Sequence, residues 1–172
     1  MRAIHRHIFV IVVSTILIAA LGLLTRLVEL PLQMTSSTNP DVGRTLMLRT
    51  DFTDDAAWES LRAAIESHGG EFRAFVRFVN DRTHAGMTVD QAVQFAKQSN
   101  QLFVFVADRM TLTNPDRPIL VVDASEQAGR TFRVVPTSLW SVENNLALAN
   151  MDFEEFAAAV DADGVFRTFR AR

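Results

Sequence analysis

The polar and apolar positions of this chain change pattern near residue 45. Before it, Ile8 to Leu24 is an uncharged, mainly apolar run of 17 residues. As a helix it would be about 26 Å long at ~1.5 Å per residue. That is the short end of the ~17–25 residues needed to cross a bilayer. No face of the run is polar, which argues against a core helix of a small domain. "PLQMTSSTNPDVGR", residues 31–44, is proline- and serine-rich and reads as a linker.

Beyond it the pattern alternates between strand-like and helix-like blocks. Thr45–Thr50 reads as a strand. A helix follows with Thr53 as its N-cap, Asp54 and Asp55 in the first turn, and Trp58, Leu61 and Ile65 at i, i+3 and i+7 facing the core. Gly69-Gly70 ends it. Residues 72–80, "FRAFVRFVN", form a second strand. A helix from about Val89 to Lys97 begins with the Thr88/Gln91 spacing of a capping box. "LFVFVA" (102–107) and "ILVVDA" (119–124) are continuous apolar runs, which suit central strands covered on both faces.

The link between those two runs is about ten residues, contains Pro115 and Pro118 and shows no helical period. A parallel crossover needs about a dozen residues or more, so an antiparallel return is expected. "SEQAGR" then makes a hairpin to "TFRVVP". Leu146–Leu148 reads as a short strand. Asp152 and Glu155 open a last helix with Phe153, Phe156, Ala157 and Val160 as its stripe, and Val165–Phe169 adds a strand. The fold class is α/β (α+β): a mixed sheet of five or six strands with packed helices, preceded by one N-terminal transmembrane helix. The divisions are 1–30 (anchor or signal-like segment), 31–44 (linker) and 45–172 (one α/β domain).

Charge and composition narrow the function classes. Hydrophobic residues make up 48%, as in a globular chain. There is no cysteine, which removes disulfides, thiolate metal sites and a cysteine nucleophile. Of 20 acidic and 17 basic side chains, one and three precede residue 35, leaving 19 and 14 beyond it and a net charge near −5. Such a domain is a poor general binder of phosphate backbones, so no nucleic acid is expected.

Three readings of the N-terminus stay open. The first is a single-pass membrane anchor through residues 8–24. The α-amine, Arg2 and Arg6 outweigh Arg26 across the run, which sets the N-terminus inside. The second is a signal peptide cut near Ala20-Leu21-Gly22. The third is translation starting at Met34, which would give a cytoplasmic protein.

Candidate chemistry is sparse. Asp51, Asp81, Asp108 and Asp123 end predicted strands or follow them closely. The antiparallel return puts Asp108 and Asp123 at opposite ends of neighbouring strands. Only Asp51, Asp81 and Asp108 can then gather at one edge, where a divalent cation would need them. Strand-end aspartates also serve turns and caps. "DADG" (161–164) fails as a calcium loop because Val165 takes a ligand position. His68 and His84 lack a partner at metal-ligand spacing. No phosphate-loop, dinucleotide or nucleophile-elbow motif occurs. Trp140, Glu143, Asn144, Asn145 and Asn150 form the densest polar stretch, suited to a ligand pocket or to backbone bonds in an irregular segment.

"LRTDFTDDAAWE", "FVFVADRMTLTNPDRPILVVD" and "GRTFRVVPTSLWSVENNLALANMDFEEFAAAVDADGVF" together resemble an uncharacterised bacterial domain-of-unknown-function family, number 6924, over about residues 45–169. The resemblance implies a domain boundary and carries no activity.

The expectation is a membrane-held, non-enzymatic binding or interaction module with a protein partner; immunity-type proteins are analogues in size and charge only. The alternative is a metal-dependent hydrolase or phosphoryl-transfer enzyme using Asp51, Asp81 and Asp108. The candidate binding residues are Asp51, Asp108, Arg109, Trp140, Glu143, Asn144, Asn145 and Asn150. No catalytic residue, metal ligand set or cofactor is assigned.

Overall fold

The computed structural model describes residues 43–67 and 73–169. The proposed anchor at 8–24, the 31–42 part of the linker, His68 and Gly69-Gly70 lie outside them. Among the described residues no helix is long and apolar enough to cross a membrane.

The described chain is a mixed α/β domain with a six-stranded sheet. In chain order its strands are β1 (Thr45–Arg49), β2 (Val76–Val79), β3 (Phe103–Ala107), β4 (Ile119–Asp123), β5 (Thr131–Val134) and β6 (Val165–Phe166). The helices are α1 (Asp55–Ser67), α2 (Val89–Gln98), α3 (Arg109–Thr113), α4 (Leu139–Ala147) and α5 (Phe153–Ala158). The spatial order is β2-β1-β3-β4-β5-β6. β1 runs parallel to both β2 and β3. β4 returns antiparallel beside β3, β5 pairs antiparallel with β4, and β6 lies parallel to β5. The expected antiparallel return and hairpin are therefore present, and Phe103 pairs with Asp123 at the end of the sheet away from Asp108.

The continuous apolar strands have the reason expected of them. Met47, Phe103, Phe105 and Val121 pack on one face with Trp58, Leu61 and Ile65 of α1, Leu139 and Val142 of α4, and Phe153 and Phe156 of α5. Leu46, Leu48, Val104, Val106 and Val122 pack on the other face with Ala92, Val93 and Ala96 of α2. Side chains alternate across a strand, so a strand covered twice must be apolar at every position.

Several local expectations are corrected. Asp54, not Thr53, caps α1: its carboxylate accepts from Ala57 N–H at 2.8 Å, and its carbonyl accepts the first helical bond from Trp58. Residues 109–113 of the β3–β4 link form the short helix α3, with Asp108 as its N-cap. Leu146–Leu148 is not a strand; it belongs to α4 and its C-cap, because Leu139, Val142 and Leu146 share one buried helical face. The second strand is shorter than expected, Val76–Val79, and the last spans Val165–Phe166 only. The Thr88/Gln91 capping box is formed, and Glu155 accepts from Asp152 N–H at 2.8 Å as its spacing predicts.

Candidate functional site

The parallel strands β2, β1 and β3 end at one edge, and α1 and α2 cover opposite faces of the sheet. Between β1 and β3 the chain connections diverge, which is where open α/β sheets form crevices. Thr50 follows β1 there, and both its N–H and its hydroxyl bond Ala107 O at the end of β3 (3.0 and 3.4 Å). The two loops are thus stitched together, and Asp51 and Asp108–Arg109 extend from them.

Each carboxylate at this edge has local work. Asp51 is 8% exposed. Its Oδ1 accepts from Thr53 N (2.8 Å) and Thr53 Oγ1 (2.6 Å), a side-chain-closed turn. Its Oδ2 is buried and makes no hydrogen bond. Burial opposes its charge, but the Thr53 bonds and the guanidinium groups of Arg109 and Arg49 outweigh it and hold the carboxyl below its ordinary value.

Asp108 Oδ1 caps α3 through Thr111 N (2.9 Å), and Arg133 clamps both its oxygens at 3.2 and 2.5 Å. Burial pushes this carboxyl up; Arg133 and Thr111 together hold it down. Exposed Asp81 accepts from Thr83 N at 2.9 Å. Among the described residues, no three His, Asp or Glu side chains come together as a metal would require. The alternative in which Asp51, Asp81 and Asp108 converge on a cation is therefore overturned: Asp51 and Asp81 bond within their own turns, and Asp108 is held by the start of α3 and by Arg133 of β5.

Arg49 organises this edge, and the sequence reading passed over it. It ends β1 with its side chain 2% exposed. Nε donates to Asp51 O (2.8 Å), Nη1 to Asn80 Oδ1 (3.3 Å), and Nη2 to Asp54 O (3.2 Å) and Asp55 Oδ1 (2.6 Å). The guanidinium lies 4.5 Å from the Phe52 ring centre and 5.5 Å from that of Trp58. His84 packs edge-on against Phe95 at 4.8 Å.

The other expected site residues lie elsewhere, on α4 or just after it. Glu143 is 3% exposed and reaches the opposite end of the sheet, where Oε1 accepts from Thr45 Oγ1 (3.0 Å) and Oε2 from Phe75 N (3.1 Å). Burial raises its pKa above the usual glutamate value, against the pull of those two bonds. Asn144 Nδ2 donates to Trp140 O (2.9 Å) and Asn145 Nδ2 to Ser141 O (2.8 Å), one turn back in the same helix. Trp140 is half-buried, and Asn150 is exposed beyond the helix. The structure thus brings Asp51, Asp108 and Arg109 to one end of the sheet, away from Glu143.

A depression of about 390 Å³ lies at the end of β3 and β4 opposite Asp108, between the strands and the α4–α5 link. Phe103, Leu146, Met151 and Phe153 supply its apolar part; Asp123, Glu126, Asp152, Glu154 and Arg130 supply its charge. Asp123 accepts from Ser125 N (2.8 Å) and pairs with Arg130 through contacts of 2.9 and 2.6 Å. Arg130 also reaches Glu154 at 3.0 Å and lies 5.1 Å from the Phe153 ring centre. Leu102 borders the depression and is 68% exposed, although its carbonyl is held by Ala124 N at 2.8 Å. Leu148, between the lining residues Leu146 and Ala149 in sequence, is 67% exposed. No signal in "LFVFVA" separates the exposed leucine from the buried residues after it.

A search of curated proteins finds no match. Among solved structures, prolyl-tRNA synthetase from Cryptosporidium parvum, complexed with L-proline and AMP, is similar over 62% of this chain at 10% identity and a TM-score of 0.42. The chain spans 21% of that protein's length, and a likeness at this level carries no argument. A family model matches residues 44–169, one residue from the boundary expected at 45, and the chain belongs to the family described as Domain of unknown function (DUF6924).

Proposed function

We propose that this chain is a non-enzymatic interaction module, held at a membrane by residues 8–24, whose domain docks a protein partner at the depression between β3–β4 and the α4–α5 link. The observation that carries the reading is Leu102, which lines that depression and is 68% exposed; Leu148, next in the chain to the lining residue Ala149, is 67% exposed. A single exposed leucine is ordinary, but contiguous apolar surface rimmed by polar residues marks an interaction site. Leu102 is continuous with the apolar lining of Leu146 and Met151, among Asp123, Glu126, Asp152 and Glu154. The carboxylates at the other end of the sheet support the same reading, because Asp81 and Asp108 are committed to caps and Asp108 also to Arg133.

A photo-cross-linking side chain placed at position 102 of the full chain in its native cells tests this, with position 110 as control. Met110 is also exposed (45%) but lies beyond the opposite end of β3. A discrete adduct to another protein from position 102, absent from position 110, is the expected result. No adduct from 102, or equal adducts from both, defeats the docking site. For the anchor, an intact chain in the membrane fraction is expected; a chain beginning at Met34 in the soluble fraction overturns it.

A further inference from the structure

We infer that the depression takes a basic, amphipathic segment of a partner protein, with apolar side chains on Leu102, Leu146 and Met151 and arginine or lysine on its rim. This rests on the docking reading and adds the chemistry of the partner. Four carboxylates line the depression, Asp123, Glu126, Asp152 and Glu154, against one cation, Arg130. The lining therefore carries three negative charges in excess.

That excess is not consumed inside the domain. Arg130 is already shared between Asp123 and Glu154, with contacts of 2.6 and 3.0 Å. Glu126 is exposed on the β4–β5 turn, and Asp152 is exposed at the start of α5. Complementary charge across an interface steers association and rejects partners of the wrong sign. An apolar centre inside a polar rim is the arrangement in which a few anchoring side chains dominate binding. The net charge near −5 of the chain beyond residue 34 acts in the same direction at longer range.

A nucleic acid or another acidic surface would meet those carboxylates with like charge. A second copy of this chain, docking through the same face, would set acidic rim against acidic rim. An acceptor for a small anion would need a free cation, and Arg130 is chelated on both sides.

The test uses the full chain in detergent and three labelled synthetic helices of equal length: arginine–leucine, glutamate–leucine and arginine–serine. Fluorescence anisotropy is measured at low and raised salt. The arginine–leucine helix is expected to bind at least about tenfold more tightly than either other helix. Raised salt should weaken it, since exposed charges are screened over about 10 Å at 0.1 M. Leu102→Ser and Glu126→Arg should each remove most of that binding, and Met110→Ser should leave it intact. Two outcomes overturn the proposal. If the glutamate–leucine helix binds equally well and Leu102→Ser abolishes both, the depression docks apolar segments without charge selection, and the docking reading survives alone. If no helix is sensitive to Leu102→Ser, or if that variant changes only self-association, the assignment of a basic partner to this site is wrong.

Discussion

Arg49 shows how a charged side chain can be fully used inside a fold. Its sequence context marks only the point where an apolar run stops. In the folded domain it spans Asp51 O, Asn80, Asp54 O and Asp55, and it lies against Phe52 and Trp58. A planar guanidinium can make that fork of bonds; a lysine ammonium cannot. Arg49→Lys should therefore lose roughly 2–4 kcal/mol of stability, because buried carbonyls lose charged donors that water cannot replace. Urea denaturation checks this, and a loss below about 0.5 kcal/mol, the range of an ordinary surface change, would count against the account.

The three aspartates of "RTDFTDD" separate at the same scale. Asp54 caps α1, Asp55 meets Arg49, and Asp51 closes a turn through one oxygen only. The sequence showed that Asp51 differed from its neighbours by lying between strand end and helix cap. It did not show that Arg109, which arrives from the end of β3 through tertiary packing, would join Arg49 in stabilising its charge.

Among the elements, α4 ends in strain. Ala149 adopts φ 53°, the left-handed conformation usually given to glycine after a helix. Its N–H bonds Leu146 O at 3.3 Å and Asn150 N–H bonds Asn145 O at 2.9 Å, the paired closure of a Schellman turn. A side chain in that region costs ~1–2 kcal/mol. Glycine's extra freedom when unfolded takes back about 0.4–1 kcal/mol of the relief. Ala149→Gly should thus raise stability by about 0.5–1 kcal/mol, read as a higher thermal midpoint; an unchanged or lower midpoint would show that the turn is not strained.

How much of the element order could be read depended on whether the signal was local. The capping boxes at Thr88 and Asp152 and the doubly covered strands were legible, because each is encoded within a few residues. The antiparallel return followed from link length and two prolines. α4 was legible in principle, since Leu139, Val142 and Leu146 recur at i, i+3 and i+7. Asn144 and Asn145, which favour turns, obscured it; in the helix their side chains bond the backbone one turn back. The exposed Leu102 was not legible, because apolar strand residues read alike whether or not a helix covers them.

For the whole molecule, Glu143 ties α4 to the starts of both β1 and β2. Its folded-state pKa is raised above 4.5 by burial, so folding takes up a proton there. Stability should therefore increase as pH falls through the folded value toward about 4.5, and then level off. Asp51 and Asp108 act in the opposite sense. Their folded values lie below 3.8, so the stability they contribute is present above that pH and is lost as pH falls through the folded values. Glu143→Gln should flatten the upper limb and leave the acid limb in place. Urea midpoints across this pH range measure both limbs; an upper limb unchanged by Glu143→Gln would remove Glu143 as its cause.

The same scale holds the central claim, that the domain keeps Leu102 and Leu148 exposed for a partner rather than for folding. The direct measurement is to make Leu102→Ser and Leu148→Ser in the full chain, then compare unfolding free energy with recovery of the protein partner captured by cross-linking. Both side chains are about two-thirds exposed, so each variant should stay within about 0.5 kcal/mol of the parent. Partner recovery should fall at least about tenfold, the effect of losing about 1.4 kcal/mol of binding. Undiminished recovery in both variants, with or without a loss of stability, would contradict the account.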